Sequence, residues 1–174
     1  SENGKLETIN SNKKPWKIIL AQTGEKTQTG GRIKKIANYL KDDEPFFMTY
    51  GDGLSDINLS KLLDFHNKNK KLATVTAVRP LARFGALEIL DNAVSNFVEK
   101  PISESGWING GFFVLSKKTI KYIENCLEPW ETGALPRLAK KNQLSAFRHE
   151  GFWQPMDTLR EKQLLNNLWE KGKA

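Results

Sequence analysis

A single carboxylate, Asp52, stands between two glycines at the end of an apolar run. Phe46–Tyr50 is too short for a helix, and its unbroken hydrophobicity predicts a strand buried on both faces. Gly51 and Gly53 allow a sharp turn and a close approach of the backbone to a ligand. Open α/β sheets bind ligands at the carboxyl ends of strands, where a carboxylate commonly holds a Mg²⁺ that binds phosphates. Support of a turn by Asp52 is an equally open alternative.

Asp157 is the second carboxylate that could do this chemistry. It follows Phe152-Trp153-Gln154-Pro155 and precedes an apolar segment with helical spacing. Either Asp157 or Thr158 is expected to cap that helix, which is the commoner role of an isolated Asp-Thr pair. Mg²⁺ is usually bound by one or two carboxylates plus the substrate's phosphates, so Asp157 is also a candidate partner for Asp52.

Polar groups also stand at the ends of two other predicted strands. Pro101 ends one strand directly after Glu99-Lys100, and Lys100 then suits either a phosphate or the role of an edge lysine that discourages aggregation. Asn109 opens the other strand and could hydrogen-bond sugar hydroxyls or make a tight turn. Gly110-Gly111 after it could mark the close approach of a ligand or of another backbone segment.

A pair of glycines, Gly30-Gly31, precedes Arg32 and the apolar positions of a predicted helix. Free backbone N–H groups at a helix N-terminus, together with Arg32, could bind an anion. A flexible turn is the commoner use of two glycines. The spacing of a Walker A loop is absent.

The composition favours one soluble globular domain over residues 1–174, with 39% hydrophobic and 27% charged residues. No apolar run approaches the roughly 18 residues of a membrane span, so no membrane partner is expected. Cys126 is the single cysteine, which excludes an internal disulfide and suits a cytoplasmic location. Cys126 lies in a segment with helical spacing and is expected to pack in the core. His66 and His149 are too far apart in sequence to favour a metal site.

Basic residues outnumber acidic residues by 27 to 20, giving a net charge of +7. This balance would suit nucleic acid, an anionic membrane or a phosphorylated substrate. The lysines are scattered in pairs, and no nucleic-acid-binding module is recognisable, so no nucleic acid partner is expected.

Strand and helix patterns alternate along the chain and predict an α/β fold with some antiparallel pairing. The predicted strands are 16–21, 46–50, 72–78, a hairpin of 85–90 with 94–99, 107–115 and 144–147. The predicted helices begin near Gly30, at a Ser60 cap, at a Ser116 cap, near Leu135 and near Thr158. Leu159, Leu164, Leu165 and Leu168 should share the inner face of the last helix.

Six motifs together resemble the sugar-1-phosphate nucleotidyltransferases. They are Thr29-Gly30-Gly31-Arg32, Tyr50-Gly51-Asp52-Gly53, Arg83-Phe84-Gly85-Ala86-Leu87, Glu99-Lys100-Pro101, Ile108-Asn109-Gly110-Gly111-Phe112-Phe113 and Phe152-Trp153-Gln154-Pro155-Met156-Asp157-Thr158-Leu159-Arg160. The last motif is similar to that of the cytidylyl-transferring branch, and the resemblance runs from about Pro15 through Lys171. Gly133-Ala134 departs from the acidic-Pro pattern expected after Trp130-Glu131, so the role of that segment stays open.

The resemblance implies a Rossmann-like mixed sheet of the nucleotide-diphospho-sugar transferase type. It implies that Asp52 and Asp157 hold Mg²⁺ and, with Lys100, form the catalytic set. The implied nucleotide-binding residues are Thr27, Arg32 and Gly51, and the implied sugar-phosphate-binding residues are Gly85, Glu99, Lys100, Asn109 and Gly110. The implied substrates are CTP and glucose 1-phosphate, whose phosphate oxygen attacks the α-phosphorus of CTP while pyrophosphate leaves.

The family's chains open with a strand and a G-G-x-G-T-R-L loop that wraps the triphosphate and reads the base, and these 174 residues contain no such loop. The resemblance therefore implies the C-terminal part of the catalytic domain, with N-terminal strands missing, from an enzyme that is a homo-oligomer at full length. We expect this chain alone to have little or no transferase activity while retaining part of the metal and sugar-phosphate site. A non-catalytic sugar-phosphate-binding or regulatory remnant, and uridylyl or thymidylyl transfer, are the alternatives.

Overall fold

The computed structural model describes residues 17–79, 86–90, 93–98 and 106–172. The strands are β1 (Phe46–Thr49), β2 (Gly53–Ser55), β3 (Ala73–Val78), β4 (Ala86–Leu90), β5 (Ala93–Val98), β6 (Ile108–Leu115), β7 (Leu144–His149) and β8 (Trp153–Pro155). The α-helices are α1 (Thr29–Lys35), α2 (Leu59–Asn69), α3 (Ala134–Lys140) and α4 (Leu159–Glu170), and short 3₁₀ helices span Ala37–Tyr39 and Lys117–Tyr122.

Four strands form a mixed sheet in the order β1-β6-β3-β7. β3 and β7 are parallel, whereas β6 runs antiparallel to both β1 and β3. The prediction of an α/β fold with a mixed sheet is confirmed. The predicted hairpin is also confirmed as the antiparallel pair β4–β5, but the antiparallel character of the main sheet comes from β6, a longer-range pairing.

Helices cover both faces of this sheet, as the alternation of side chains along β3 requires. Ala73 points to one face of the sheet, where it belongs to a buried cluster with residues of α1, β6 and α3. Thr74 points to the opposite face, where its Oγ1 lies 2.9 Å from Nδ1 of buried His66 on α2. The main cluster of buried side chains contains Ile33, Ala73, Phe113, Leu115, Ile123, Trp130, Ala134 and Leu138.

The prediction that Phe46–Tyr50 is a strand buried on both faces is wrong. β1 is the edge strand of the main sheet, and among the described strands it pairs with β6 alone. Phe46 is half-buried, whereas Phe47 on the other face is 46% exposed. Apolar composition identified the strand but could not indicate how many neighbours it has.

The predicted strand 16–21 is not observed over its described residues. Residues 17–22 adopt no regular secondary structure, and Ile18 and Leu20 are largely exposed. β-branched and apolar residues favour a strand only where a neighbouring strand accepts their hydrogen bonds, and no described strand pairs with this segment.

Three local predictions need correction. Helix α2 is capped by Asn58, whose side chain accepts a hydrogen bond from the Lys61 N–H, and not by Ser60. Cys126 lies in a turn after the Ser116-capped 3₁₀ helix and is only partly buried. On α4, Leu165 is buried, whereas Leu159 and Leu164 are exposed.

Candidate active site

The two predicted metal ligands flank one small ribbon. β2 and β8 pair antiparallel with Gly53 opposite Pro155, and the ribbon continues with a 2.8 Å hydrogen bond from the Met156 N–H to the Asp52 carbonyl. Asp52 directly precedes β2, and Asp157 lies two residues beyond β8. Two carboxylates that are more than a hundred residues apart in sequence are therefore backbone neighbours at one end of this ribbon.

Both carboxylates are suited to a hard divalent cation. Asp52 and Asp157 are exposed, and neither is engaged in an ion pair or side-chain hydrogen bond with another residue in the described ranges. Those ranges contain no cluster of three or more His, Cys, Asp or Glu side chains that could hold a metal. A two-carboxylate site fits Mg²⁺ because that ion commonly completes its octahedron with water and substrate phosphates.

A helix cap fixes the backbone of Asp157. Thr158 caps α4 in a capping box: its Oγ1 accepts from the Glu161 N–H at 3.2 Å, and Glu161 Oε2 accepts from the N–H groups of Asp157 and Thr158 at 2.9 Å each. The backbone N–H of Asp157 is thereby used, while its carboxylate faces solvent. Of the two caps that the sequence left open, the structure selects Thr158.

His149 ties the ribbon to the main sheet. It is the last residue of β7, and its Nε2 lies 3.0 Å from Asp56 Oδ1 and 3.1 Å from Ser55 Oγ at the end of β2. Gly151 lies so close that an added Cβ would be 2.5 Å from Asp56 Oδ1. This contact was not predicted, and it explains how a two-stranded ribbon keeps its place beside the four-stranded sheet.

Asn109 stands at a bulge between β6 and β3. Val75 is opposite Phe113, but Ala77 is opposite Asn109, so residues 110–112 of β6 face Thr76 alone. Gly111 has φ +78°, the left-handed region that favours glycine, and an added Cβ would lie 2.8 Å from the Tyr50 ring. The bulge leaves the Asn109 side chain exposed at the amino end of β6.

Gly110 makes a close backbone approach to its neighbour strand. An added Cβ would lie 2.8 Å from Val78 Cγ1 and 3.0 Å from the Thr76 carbonyl. The carbonyl of Gly110 accepts a 2.8 Å hydrogen bond from Nε1 of Trp153 on β8, which joins the ribbon to the bulge. Backbone packing accounts for this glycine, and its contact with a sugar phosphate stays a prediction.

Tyr50, between β1 and Asp52, connects Asn109 to a carboxylate that the sequence left without a role. Its hydroxyl donates to Glu131 Oε1 at 2.6 Å and accepts from Asn109 Nδ2 at 3.4 Å. Burial, followed by the Glu131 carboxylate, raises the pKa of Tyr50 well above its usual value. Glu131 was missed as a site residue because its contacts join distant segments; the one signal was its place beside Trp130 in a segment that departs from the family pattern.

Thr27 and Arg32 both contact the loop before α1. The hydroxyl of Thr27, which is 7% exposed, donates to the Thr23 carbonyl, and Arg32 donates through Nη1 to Thr23 Oγ1. Arg32 is exposed and could meet a ligand, whereas the Thr27 hydroxyl is turned inward. Contact of either residue with a nucleotide stays a prediction.

Gly30 and Gly31 are packing positions inside α1. An added Cβ would lie 2.7 Å from the Glu128 carbonyl at Gly30 and overlap the Cys126 carbonyl at Gly31. The expected flexible turn is therefore wrong, because both glycines are buried and let the helix lie against segment 126–130.

A basic cluster that the sequence did not reveal lies near Asn109. The guanidinium groups of Arg79 and Arg148 lie 4.6 and 5.5 Å from the centre of the Trp107 ring. Arg79 follows β3, Arg148 is near the end of β7 and Trp107 precedes β6. Cation–π contact holds two positive charges at the carboxyl ends of the parallel strands. Gly85, Glu99 and Lys100 lie outside the described residues, so the structure does not test their predicted roles.

Comparison with known proteins decides the family. Residues 3–158 match the family described as nucleotidyl transferase. The chain belongs to this family. The match includes both aspartates of the ribbon and Asn109. Within the described ranges, no helix of this nucleotidyl transferase family member is both long and apolar enough to cross a bilayer.

Two curated relatives and one solved structure illustrate the resemblance. The chain is 49% identical over 170 residues to "Glucose-1-phosphate cytidylyltransferase" of Salmonella typhimurium, covering 98% of this chain and 66% of the relative. It is 41% identical over 158 residues to "Probable glucose-1-phosphate cytidylyltransferase" of Bacillus subtilis, covering 90% and 61%. The chain thus spans less than two thirds of the length of these relatives.

Among solved structures, HddC from Yersinia pseudotuberculosis in complex with GMP-PN superposes with a TM-score of 0.62 at 23% identity, covering 83% of this chain and 64% of that chain. A likeness at this identity shows the fold. It confirms the expected nucleotide-diphospho-sugar transferase type of mixed sheet.

Proposed function

We propose that the chain is part of a glucose-1-phosphate cytidylyltransferase, which converts CTP and glucose 1-phosphate to CDP-glucose and pyrophosphate. The observation that carries the proposal is the convergence of Asp52 and Asp157 at one end of the β2–β8 ribbon. The names of the two curated relatives favour glucose 1-phosphate and CTP as substrates.

Positioning is the main task of this chain's residues. Asp52 and Asp157 would hold Mg²⁺, which supplies positive charge that draws the phosphates of two anionic substrates together. Asn109 binds sugar hydroxyls beside the ribbon. Exposed Arg32 contacts the triphosphate, and Thr27 supports the loop before α1. The proposed roles of Gly51 and Gly110 are close backbone approaches to the nucleotide and the sugar phosphate. Binding of the sugar phosphate is also the role proposed for Gly85, Glu99 and Lys100.

The reaction itself needs little covalent participation of the protein. A phosphate oxygen of glucose 1-phosphate forms a bond to the α-phosphorus of CTP, and the bond from that phosphorus to the bridging oxygen of the β-phosphate breaks, releasing pyrophosphate. Aligning the two oxygens with the phosphorus removes an entropic barrier, and the surrounding cations stabilise the charge on the phosphate oxygens. The net charge of +7 suits two such ligands.

Calorimetric titration of the chain with glucose 1-phosphate and with CTP, with and without Mg²⁺, tests the proposal. We expect both ligands to bind and CTP binding to depend on Mg²⁺. Asp52→Asn and Asp157→Asn should each weaken Mg²⁺-dependent binding at least about tenfold. Asp64→Asn on α2, another exposed aspartate, is the matched control and should bind like the unchanged chain.

Pyrophosphate release should be slow for this chain and should require both substrates. Binding of glucose 1-phosphate without any nucleotide binding would favour the non-catalytic remnant. Because these 174 residues lack the base-reading loop, CTP, UTP and dTTP are compared in an enzyme that includes it, and faster pyrophosphate release with UTP or dTTP would replace cytidylyl by uridylyl or thymidylyl transfer. If neither the sugar phosphate nor any nucleotide binds at millimolar concentration, the proposed function is wrong.

A further inference from the structure

A chain of hydrogen bonds runs from the start of α1 to the bulge of β6. The Trp130 N–H donates to Thr29 Oγ1 at 2.8 Å, and the Thr29 hydroxyl donates to Glu131 Oε2 at 2.8 Å. The Tyr50 hydroxyl donates to the other oxygen, Glu131 Oε1, at 2.6 Å. Asn109 Nδ2 then donates to the Tyr50 oxygen at 3.4 Å.

The donors and acceptors give this series of hydrogen bonds one direction. A hydroxyl has a single proton, and the Tyr50 proton goes to Glu131, so the Tyr50 oxygen presents a lone pair to Asn109. Thr29 likewise accepts from a backbone N–H and, among the described residues, donates its proton to Glu131. An ionised carboxylate that accepts from both hydroxyls therefore determines how both are oriented.

The Asn109 carboxamide is fixed at both ends. Its Oδ1 accepts from the Gly111 N–H at 2.9 Å, which identifies the oxygen end, and its Nδ2 must then point to Tyr50. The Tyr50 ring is held in place because it packs edge-on against buried Phe113 on one side and lies close to the backbone of Gly111 on another. Without the Tyr50 oxygen, the Nδ2 end of the carboxamide would lose its partner among the described residues.

The surroundings of Glu131 support the same direction. In the described ranges no Lys, Arg or His forms an ion pair with Glu131, whose two oxygens are used by hydroxyls.

We propose that Glu131 and Tyr50 are positioning residues that orient the Asn109 carboxamide toward the sugar phosphate. The inference rests on the proposed function, in which Asn109 contacts the sugar. Neither Glu131 nor Tyr50 needs to touch the substrate, since both act through the amide. The motif that contains Asp52 thereby also helps to arrange the sugar side of the site.

Tyr50→Phe tests the proposal, because it removes the hydroxyl and keeps the ring against Phe113. Tyr39→Phe is the matched control, since Tyr39 is exposed. We expect Tyr50→Phe to weaken glucose 1-phosphate binding about tenfold and to leave CTP binding unchanged. A purely structural role would weaken both ligands alike. Glu131→Gln should act in the same direction, because its amide nitrogen cannot accept from one of the two hydroxyls.

A ligand-free measurement separates this proposal from the proposed function. The side-chain amide protons of Asn109 should have NMR chemical shifts displaced from those of a freely solvated asparagine in the unchanged chain and in Tyr39→Phe, and they should move toward the freely solvated values in Tyr50→Phe and Glu131→Gln. If the shifts respond as expected but neither the unchanged chain nor Tyr39→Phe binds glucose 1-phosphate, the proposed function fails and the positioning stands. Unchanged Asn109 shifts in both variants would overturn the positioning, as would an equal loss of CTP and sugar-phosphate binding.

Discussion

The candidate site combines a braced region with an open one. Around Asn109, hydrogen bonds through Tyr50 and Glu131 reach buried Trp130, so the polar side chain is oriented before any ligand arrives. Around Asp52 and Asp157, the backbone is fixed by the ribbon and a capping box, but both carboxylates face solvent. In the proposed function, a neutral amide that binds a sugar benefits from fixed geometry, whereas two like charges are held together most readily by a cation that they share.

Trp130→Ala should have the largest effect because it removes the support of the braced region. Trp130 is completely buried and packs edge-on against Phe113, so its truncation leaves a cavity in the main cluster. We expect the free energy of unfolding, measured by urea denaturation, to decrease by about 3–5 kcal/mol. Trp169→Ala is the matched control, since Trp169 is 75% exposed. Equal stability of the two variants would contradict this account of the core.

Thr158→Ala should have a smaller effect, on the open region. It removes the oxygen that accepts the Glu161 N–H and breaks the capping box next to Asp157. The loss of an N-cap costs about 1 kcal/mol of unfolding free energy. Thr158→Ser keeps the hydroxyl and should recover most of this loss. If the alanine and serine variants unfold at the same urea concentration, the cap does not stabilise this end of the ribbon.

The smallest expected effect is a pH dependence that arises outside both regions. Burial lowers the pKa of His66 below its ordinary 6.5, so the unfolded chain binds this proton more readily than the folded chain. The contribution of His66 to stability should therefore decrease as pH falls through 6.5 toward the lower folded pKa. His66→Gln should lack this component, so the stability difference between the two chains should change between about pH 7 and pH 5. A constant difference would show that burial of His66 has no such effect.

The elements of the fold were largely predictable because local signals specify them. Ala73–Val78 reads as a strand from its β-branched residues, and the Asp-Thr pair marked the start of α4. The edge position of β1 was not predictable, because the apolar run Phe46–Thr49 looks the same whether one or two strands pair with it. Asn58 and Ser60 are both good caps two residues apart, so the choice between them required the structure.

The candidate site was also only partly predictable from the sequence. Asp52 and Asp157 were found through motifs, and their adjacency came from the pairing of β2 with β8, each only three residues long. Apart from its place beside Trp130, Glu131 carries no signal in the sequence, because its partners Thr29 and Tyr50 are 102 and 81 residues away. Gly110 and Gly111 were expected to mark the close approach of a ligand or of another backbone segment, and the positions of Val78 and the Tyr50 ring account for their lack of side chains.

The proposed function requires Asp52 and Asp157 to bind one cation next to Asn109. Titration with Mn²⁺, an oxygen-preferring stand-in for Mg²⁺, tests it through paramagnetic broadening of backbone amide NMR signals. We predict that the amides of Asp52 and Asp157 broaden together, before those of the acidic loop 42–44, and that Asp52→Asn abolishes the broadening at both positions. Broadening of the two amides at different Mn²⁺ concentrations, or at loop 42–44 alone, would contradict the claim.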